Sequence, residues 1–169
     1  SDAISTSQIA TLTTKTNIPI SYNGGLIDTM SNLASSGSVT SAVTTAVDDD
    51  SNINITVSDT ELTESHVINI NALASTTTGV LTATINGRYS ELSGLTTSTS
   101  DLIAITVNER VTVEEGATIS GLTSSSATVN YMIGINDTIS NLVTSDSASS
   151  NFGIVLTRDS DVDVIVSDT

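Results

Sequence analysis

The chain has no cysteine and no tryptophan, one phenylalanine, three tyrosines, one proline, and four basic side chains against nineteen acidic ones. Without cysteine there is neither a disulfide framework nor a thiolate metal site. Aromatic residues make up 2% of the sequence, so no core can be organised around large rings. The interior has to be thin, with Ile, Val, Leu and Ala stacked in layers. A net charge of −15 excludes nucleic acid as a partner, because phosphate contacts need clustered Lys and Arg. It also disfavours anionic membrane surfaces and makes divalent cations the natural counter-ions. No apolar run approaches the roughly 18 residues of a membrane span, so membrane insertion is not expected. No charged segment followed by an apolar one opens the chain, so secretion would use another signal or yield a processed product.

What is present is Ser and Thr, about a third of the sequence, with β-branched apolar residues recurring along its length. That recurrence argues against disorder. Set against itself, the chain repeats. Asp28-Thr29-Met30-Ser31-Asn32-Leu33 returns as Asp137-Thr138-Ile139-Ser140-Asn141-Leu142, at an offset of 109. The same offset carries Ile55-Thr56-Val57-Ser58-Asp59-Thr60 onto Val164-Ile165-Val166-Ser167-Asp168-Thr169. A weaker element, apolar–small–small–Leu, recurs at Ile70–Leu73, Leu92–Leu95, Ile119–Leu122 and Ile139–Leu142, with uneven spacing between successive copies.

Each period reads as an alternating run, a polar turn and a stretch with helical spacing. The alternating runs, Ile18–Tyr22, Ile53–Val57, Val80–Ile85, Leu102–Val107, Thr128–Ile133, Gly153–Leu156 and Val162–Val166, predict strands. Several are apolar at successive positions, as in a parallel sheet covered on both faces. Pro19 cannot donate to a ladder, which places the first run at a sheet edge. After the turns, Leu62, Ile68 or Ile70 and Leu73 share a helix face, as do Val113, Ala117, Ile119 and Leu122. Ser58-Asp59-Thr60-Glu61 and Thr112-Val113-Glu114-Glu115 both match the capping box that opens a helix. The expected fold is α/β: a right-handed solenoid of strand–turn–short-helix repeats of about 20–27 residues with a parallel sheet. An all-β solenoid is the alternative. Residues 1–169 form a single repeat array, with coils at roughly 1–50, 51–100 and 101–169 and an irregular acidic insertion at 38–50. The insertion includes a helical turn through Val39, Ala42, Val43, Ala46 and Val47. The last residues stop where internal copies pass from strand to helix, and the first supply the missing helix through Ile4, Ile9 and Leu12. Tail-to-head placement would continue the repeat, in a longer tandem array or between subunits.

The succession Ile105-Thr106-Val107, Thr112 to Ile119, Val129-Asn130-Tyr131 and Asn136 to Leu142 resembles the long tandem repeats of bacterial cell-surface and type-I-secreted proteins. These include large adhesins, S-layer-type proteins and hemolysin-type calcium-associated proteins. The resemblance covers most of residues 50–169 and, more loosely, 1–50. It implies an extracellular, bacterial cell-surface location, a structural or adhesive role and calcium, and it brings no catalytic residue. The glycine-rich nonapeptide of the hemolysin-type β-roll is absent.

Candidate chemistry is sparse. Calcium takes six to eight oxygen ligands. Asp159, Asp161 and Asp163 alternate, so in a strand their carboxylates would project from one side and attract a cation, and in an irregular loop they resemble the first half of a calcium loop, without the Gly and bidentate Glu that should follow; Asp48-Asp49-Asp50 is a second acidic run. For Asp28, Asp59, Asp137 and Asp168, capping and Asx-turn bonding is the better explanation. His66, the sole histidine, reads as a surface residue, because no Gly-x-Ser-x-Gly elbow supports a hydrolase triad. No phosphate loop, dinucleotide turn or HExxH is present. Asn54-Ile55-Thr56 and Asn136-Asp137-Thr138 fit the glycosylation pattern at the rate chance gives. The Thr-x-Thr pairs (Thr11/Thr13 and Thr82/Thr84) do not recur at one place in each period, against an ice-binding face. The expected function is a non-enzymatic extracellular module that forms or extends a cell-surface fibre, sheath or S-layer-like assembly, stabilised by calcium. Its partners would be neighbouring repeats of the same protein or subunits joined head to tail. An adhesin module binding a glycan or surface ligand is the alternative, and a β-solenoid carbohydrate enzyme a third. The scarcity of aromatic sugar platforms weighs against both.

Overall fold

In the computed structural model, which describes residues 2–16 and 18–168, short β-branched runs form strands and the Ser/Thr-capped stretches between them form helices. In chain order these are α1 (Thr6–Leu12), β1 (Leu26–Asp28), α2 (Met30–Leu33), a tight hairpin of β2 (Ala34–Ser35) and β3 (Ser38–Val39), α3 (Ser41–Asp49), β4 (Ile55–Val57) and β5 (Leu62–Thr63). A 3-10 turn at Glu64–His66 leads into α4 (Val67–Thr76), followed by β6 (Leu81–Gly87), α5 (Tyr89–Leu92), β7 (Leu102–Val107), α6 (Val113–Ser120) and β8 (Val129–Tyr131). The chain continues with β9 (Ile135–Asp137), α7 (Ile139–Leu142), a second hairpin of β10 (Val143–Thr144) and β11 (Ser147–Ala148), α8 (Ser150–Arg158) and β12 (Val164–Val166). The protein is therefore mixed α/β, and the helices overturn the all-β alternative.

The central sheet is open and parallel, in the order β1–β4–β6–β7–β8, with β5 beside β6; β9 and β12 form a further parallel pair. Strand order follows chain order. Ile55 stands opposite Leu81, Ile85 opposite Ile105 and Ile105 opposite Val129, while single bridges join Ile4 to Leu26 and Val111 to Ile135. Parallel pairing needs a crossover, which the short helices supply. Leu81, Ala83 and Ile85 of β6 turn into a core of aliphatic side chains that includes Leu33, Ile55, Leu62, Ile70, Leu73, Ile103 and Ile119. Its covered aromatic members are Tyr22 and Tyr131.

Five of the expected strand runs correspond to β4, β6, β7, β8 and β12, but two do not form strands. Gly153–Leu156 lies inside α8, because Ser149 caps that helix and Phe152 and Val155, at helical spacing, reach the core. Pro19, Ile20, Ser21 and Tyr22 lie in no strand, so Pro19 is not an edge-strand proline. β1 and β9, each three residues long, lie outside the expected runs. Each follows a glycine with positive φ, Gly25 (+76°) and Gly134 (+91°). A Cβ at the first would lie 2.8 Å from the Asn54 carbonyl oxygen, and one at the second closer still to that of Asp163. The chain turns there against a neighbouring backbone, and only glycine fits.

Every element from β1 to β4 returns from β9 to β12 at the same offset of 109: strand, one-turn helix, hairpin, nine-residue helix, strand. Both hairpin tips use the same left-handed pair, Ser36-Gly37 and Ser145-Asp146. Residues 38–50 are thus no irregular insertion. They hold β3 and α3, and their counterparts β11 and α8 occupy the same place in the second unit.

Candidate functional site

The acidic side chains carry most of the long-range polar structure. A carboxylate repeatedly reaches back 20–29 residues to accept from the backbone amide of the preceding layer. The first amides of five helices are held this way: Thr6 by Asp28 (3.1 Å), Met30 by Asp59 (2.5 Å), Tyr89 by Glu109 (2.8 Å), Val113 by Asp137 (3.0 Å) and Ile139 by Asp168 (2.8 Å). Three more bonds hold extended segments: Tyr22 to Asp50 (2.9 Å), Leu81 to Asp101 (2.9 Å) and Tyr131 to Asp159 (2.8 Å). Helices leave their first amides without internal partners, and a negative charge there also meets the positive end of the dipole. Each carboxylate therefore fastens its own segment to one 20–29 residues earlier in the chain. The sequence predicts capping by Asp28, Asp59, Asp137 and Asp168; the structure adds that each also caps a helix that begins 22–29 residues earlier in the chain.

Asp137 is saturated. It also accepts from the Thr138 amide (2.8 Å) and the Asn141 side-chain amide (2.6 Å). Its counterpart Asp28 accepts from the Thr29 amide, Asn32 and the Thr6 hydroxyl as well. Burial alone would raise both pKa values, but these bonds outweigh it and hold both carboxyls below the ordinary 3.8. The stabilisation they give is complete above that value and is lost as pH falls through the lower, folded-state value. Asp159 runs the other way. Burial raises it, the Tyr131 amide partly compensates, and the neighbouring Asp161 carboxylate raises it again, so its contribution is lost as pH rises. Because two carboxyls of the first kind oppose one of the second, the melting temperature is expected to fall on acidification below about pH 4. Melts followed by circular dichroism check this, and Asp137→Asn should make the fall shallower.

Arg158 closes the C-terminal end of α6. Its guanidinium donates to the carbonyl oxygens of Ser120 (2.7 Å), Thr123 (3.1 Å), Ser124 (2.8 Å) and Ala127 (3.3 Å). The adjacent Tyr131 hydroxyl is bonded to Ser120 and to the Gly116 carbonyl. Burial pushes that phenol up to about 12, with Ser120 and Arg158 working against the rise. In the first unit Asp49 stands at the place of Arg158 and accepts from the Tyr22 hydroxyl (3.1 Å). Tyr22 is likewise raised to about 12, by burial first and then by its bond to Asp49 and the charges of Asp49 and Asp50.

His66 has a local task. Its ring Nδ1 faces the Thr63 amide (3.3 Å) and completes a capping box, the part Gln8 plays for Ser5 and Glu115 for Thr112. The expected box at Thr112 thus forms, whereas the one at Ser58 does not, because residues 58–61 connect β4 to β5 and the helical segment starts only after Thr63. Of the acidic runs, Asp50 and Asp159 hold the amides of Tyr22 and Tyr131, and Asp49 holds the Tyr22 hydroxyl. Asp48 closes α3 beside Asp49. Asp159, Asp161 and Asp163 lie in no strand; they occupy the loop between α8 and β12, where the Asp163 carbonyl accepts from the Ile135 amide (2.8 Å). Among the described residues no three His, Asp or Glu side chains come together as a metal site. An open polar cleft of about 360 Å³ lies beside Asp137, lined by Glu114, Asn141, Ser149, Ser150 and Asn151 and without an aromatic ring. No helix among the described residues is long and apolar enough to cross a membrane. No known family, curated protein or solved structure matches the chain.

Proposed function

We propose that the chain is a right-handed solenoid of strand–turn–short-helix repeats acting as an extracellular structural module that forms or extends a cell-surface fibre, sheath or S-layer-like assembly, without catalysis. One observation carries this reading: strands pair in chain order, and each layer is fastened to the one before by carboxylates further along the chain. Such an architecture grows in one dimension and contacts only its neighbours, which suits a building element whose partners are further repeats or copies. Immunogold labelling of the cells that make the chain tests it. Label on external fibres or a surface layer is expected; label confined to the cytoplasm would overturn the reading.

Calcium enters as a counter-ion to two acidic runs, Asp48-Asp49-Asp50 at the end of α3 and Asp159, Asp161 and Asp163 after α8. The crowding of Asp159 against Asp161 supports the second. Millimolar calcium is expected to raise the melting temperature by a few degrees, more than magnesium does, and an unchanged melt would remove calcium from the assembly. A second reading, an adhesin module for a glycan or surface ligand, rests on the polar cleft beside Asp137. Binding of one sugar class on a glycan array, abolished by Asn151→Ala, would favour it.

A further inference from the structure

We propose that Asn23 is a site of spontaneous covalent modification: its side-chain amide closes onto the Gly24 backbone nitrogen, loses ammonia and leaves aspartate or isoaspartate in the turn before β1. The proposal needs neither the surface role nor calcium.

This chemistry asks for an asparagine followed by glycine, a side chain open to water, and a backbone free to bend until the following nitrogen meets Cγ. The chain holds two Asn-Gly pairs, Asn23-Gly24 and Asn86-Gly87. Glycine matters because no Cβ shields its nitrogen and its backbone rotates freely. The fold treats the two pairs in opposite ways. Asn86 stands within β6 between Thr63 of β5 and Thr106 of β7, and Gly87 is buried opposite Val107. Pairing on both sides holds Asn86 extended, so the Gly87 nitrogen cannot swing to its Cγ. Asn23 and Gly24 are instead the two central residues of a turn, closed by the Gly25 amide on the Tyr22 carbonyl (2.8 Å). Asn23 is exposed, and the Gly24 amide donates to no group among the described residues. The second unit shows that the turn does not need this pair. There the Gly134 amide closes on the Tyr131 carbonyl (2.9 Å) around Met132-Ile133, which cannot react in this way.

Attack by the Gly24 nitrogen forms an N–Cγ bond and breaks the bond from Cγ to the side-chain nitrogen, which takes up the Gly24 amide proton and leaves as ammonia. Water then opens the cyclic imide. Cleavage at Cγ leaves aspartate; cleavage at the Asn23 main-chain carbonyl leaves isoaspartate, with the chain running through Cβ and Cγ. The nitrogen attacks once deprotonated, so the rate rises with pH. The isoaspartyl link adds one atom to the main chain at a place without slack. A Cβ at Gly24 would overlap the Asp2 carbonyl, and one at Gly25 would lie 2.8 Å from the Asn54 carbonyl oxygen. The added atom therefore opens the turn. With it go the bonds from the Tyr22 amide to Asp50 (2.9 Å) and from the Ile4 amide to the Gly25 carbonyl (2.9 Å), and α1 loosens from β1.

The test ages the full chain at 37 °C and maps its peptides by mass spectrometry, with electron-transfer fragmentation to separate aspartate from isoaspartate. Asn23 is expected to convert to both, at least about tenfold faster than Asn86 and faster at pH 9 than at pH 7, because only local opening exposes a paired strand residue. In urea, where β6 is lost, the two rates should come within about threefold of each other. Asn23→Gln, which would need a larger ring, should stop the conversion while the fresh chain melts as before. The aged chain should melt lower than the fresh one, whereas Asn23→Asp, which carries the charge without the extra main-chain atom, should melt like the fresh one. Equal rates at Asn23 and Asn86 in the folded chain, or a tenfold difference that survives in urea, would overturn the site. An aged chain that melts unchanged, or Asn23→Asp melting as low as the aged chain, would overturn the loosening of α1. None of these outcomes alters the immunogold result, so this site and the surface role fail separately.

Discussion

Asp137→Ala is expected to destabilise the protein by about 3 kcal/mol. The side chain accepts from Val113, Thr138 and Asn141, and it is 8% exposed. Alanine leaves the first amide of α6 facing a covered space with no acceptor, and it unties α7 from its own start. For a chain of this length the melting temperature should drop by roughly 6–12 °C. Asp137→Asn keeps an acceptor for one side of the network and should cost about 1 kcal/mol. The equivalent substitution at Asp28 removes the same set of bonds plus that from the Thr6 hydroxyl, so it should be at least as damaging. Urea unfolding of the three variants at pH 7 measures all of this. A loss below about 0.5 kcal/mol for both alanine variants, the level of an ordinary surface change, would show that the carboxylates are not structural.

Arg158→Ala should cost a similar amount, about 3 kcal/mol, for a different reason. Four carbonyl oxygens at the end of α6 and in the turn after it converge on one guanidinium. A planar fork with five donors can serve carbonyls on two sides at once, whereas an ammonium is a point charge with three donors. Arg158→Lys is therefore expected to recover less than half of the loss. If lysine restored full stability, charge near the helix end would be the cause rather than the fork. The same unfolding measurements separate the two, because a helix-dipole effect is screened by salt and the bonds to carbonyls are not.

Strands with clear alternation are readable from the sequence: Leu102–Val107 coincides with β7, and Val80–Ile85 falls almost wholly within β6. β1 and β9 escape because three residues cannot display a period, although the glycine before each is a local signal for a sharp turn. Gly153–Leu156 misleads because its alternation is short and Ser149, Phe152 and Val155 define a helix more strongly. The internal duplication is visible in two hexapeptides, but its extent is not. Tyr22 and Tyr131, or Asp50 and Asp159, stand among few matches in stretches that mostly differ, and shared bonding reveals them as equivalent. The interlayer carboxylates are half legible. An acid after a strand announces a cap, but which amide it caps depends on a neighbour in another layer, and sequence periodicity carries no signature of that pairing. Arg158 has no signal at all, since its partners are backbone carbonyls of four different residues.

Carboxylates accepting from backbone amides 20–29 residues earlier in the chain tie successive parts of the fold together, and an NMR pH titration observes that directly. The Val113 amide proton should shift with an inflection below pH 3.8 that coincides with the titration of the Asp137 carboxyl carbon and disappears in Asp137→Asn. Thr6 should report Asp28 in the same way. A Val113 amide whose shift is unchanged by Asp137→Asn would contradict the account that these carboxylates tie distant segments together.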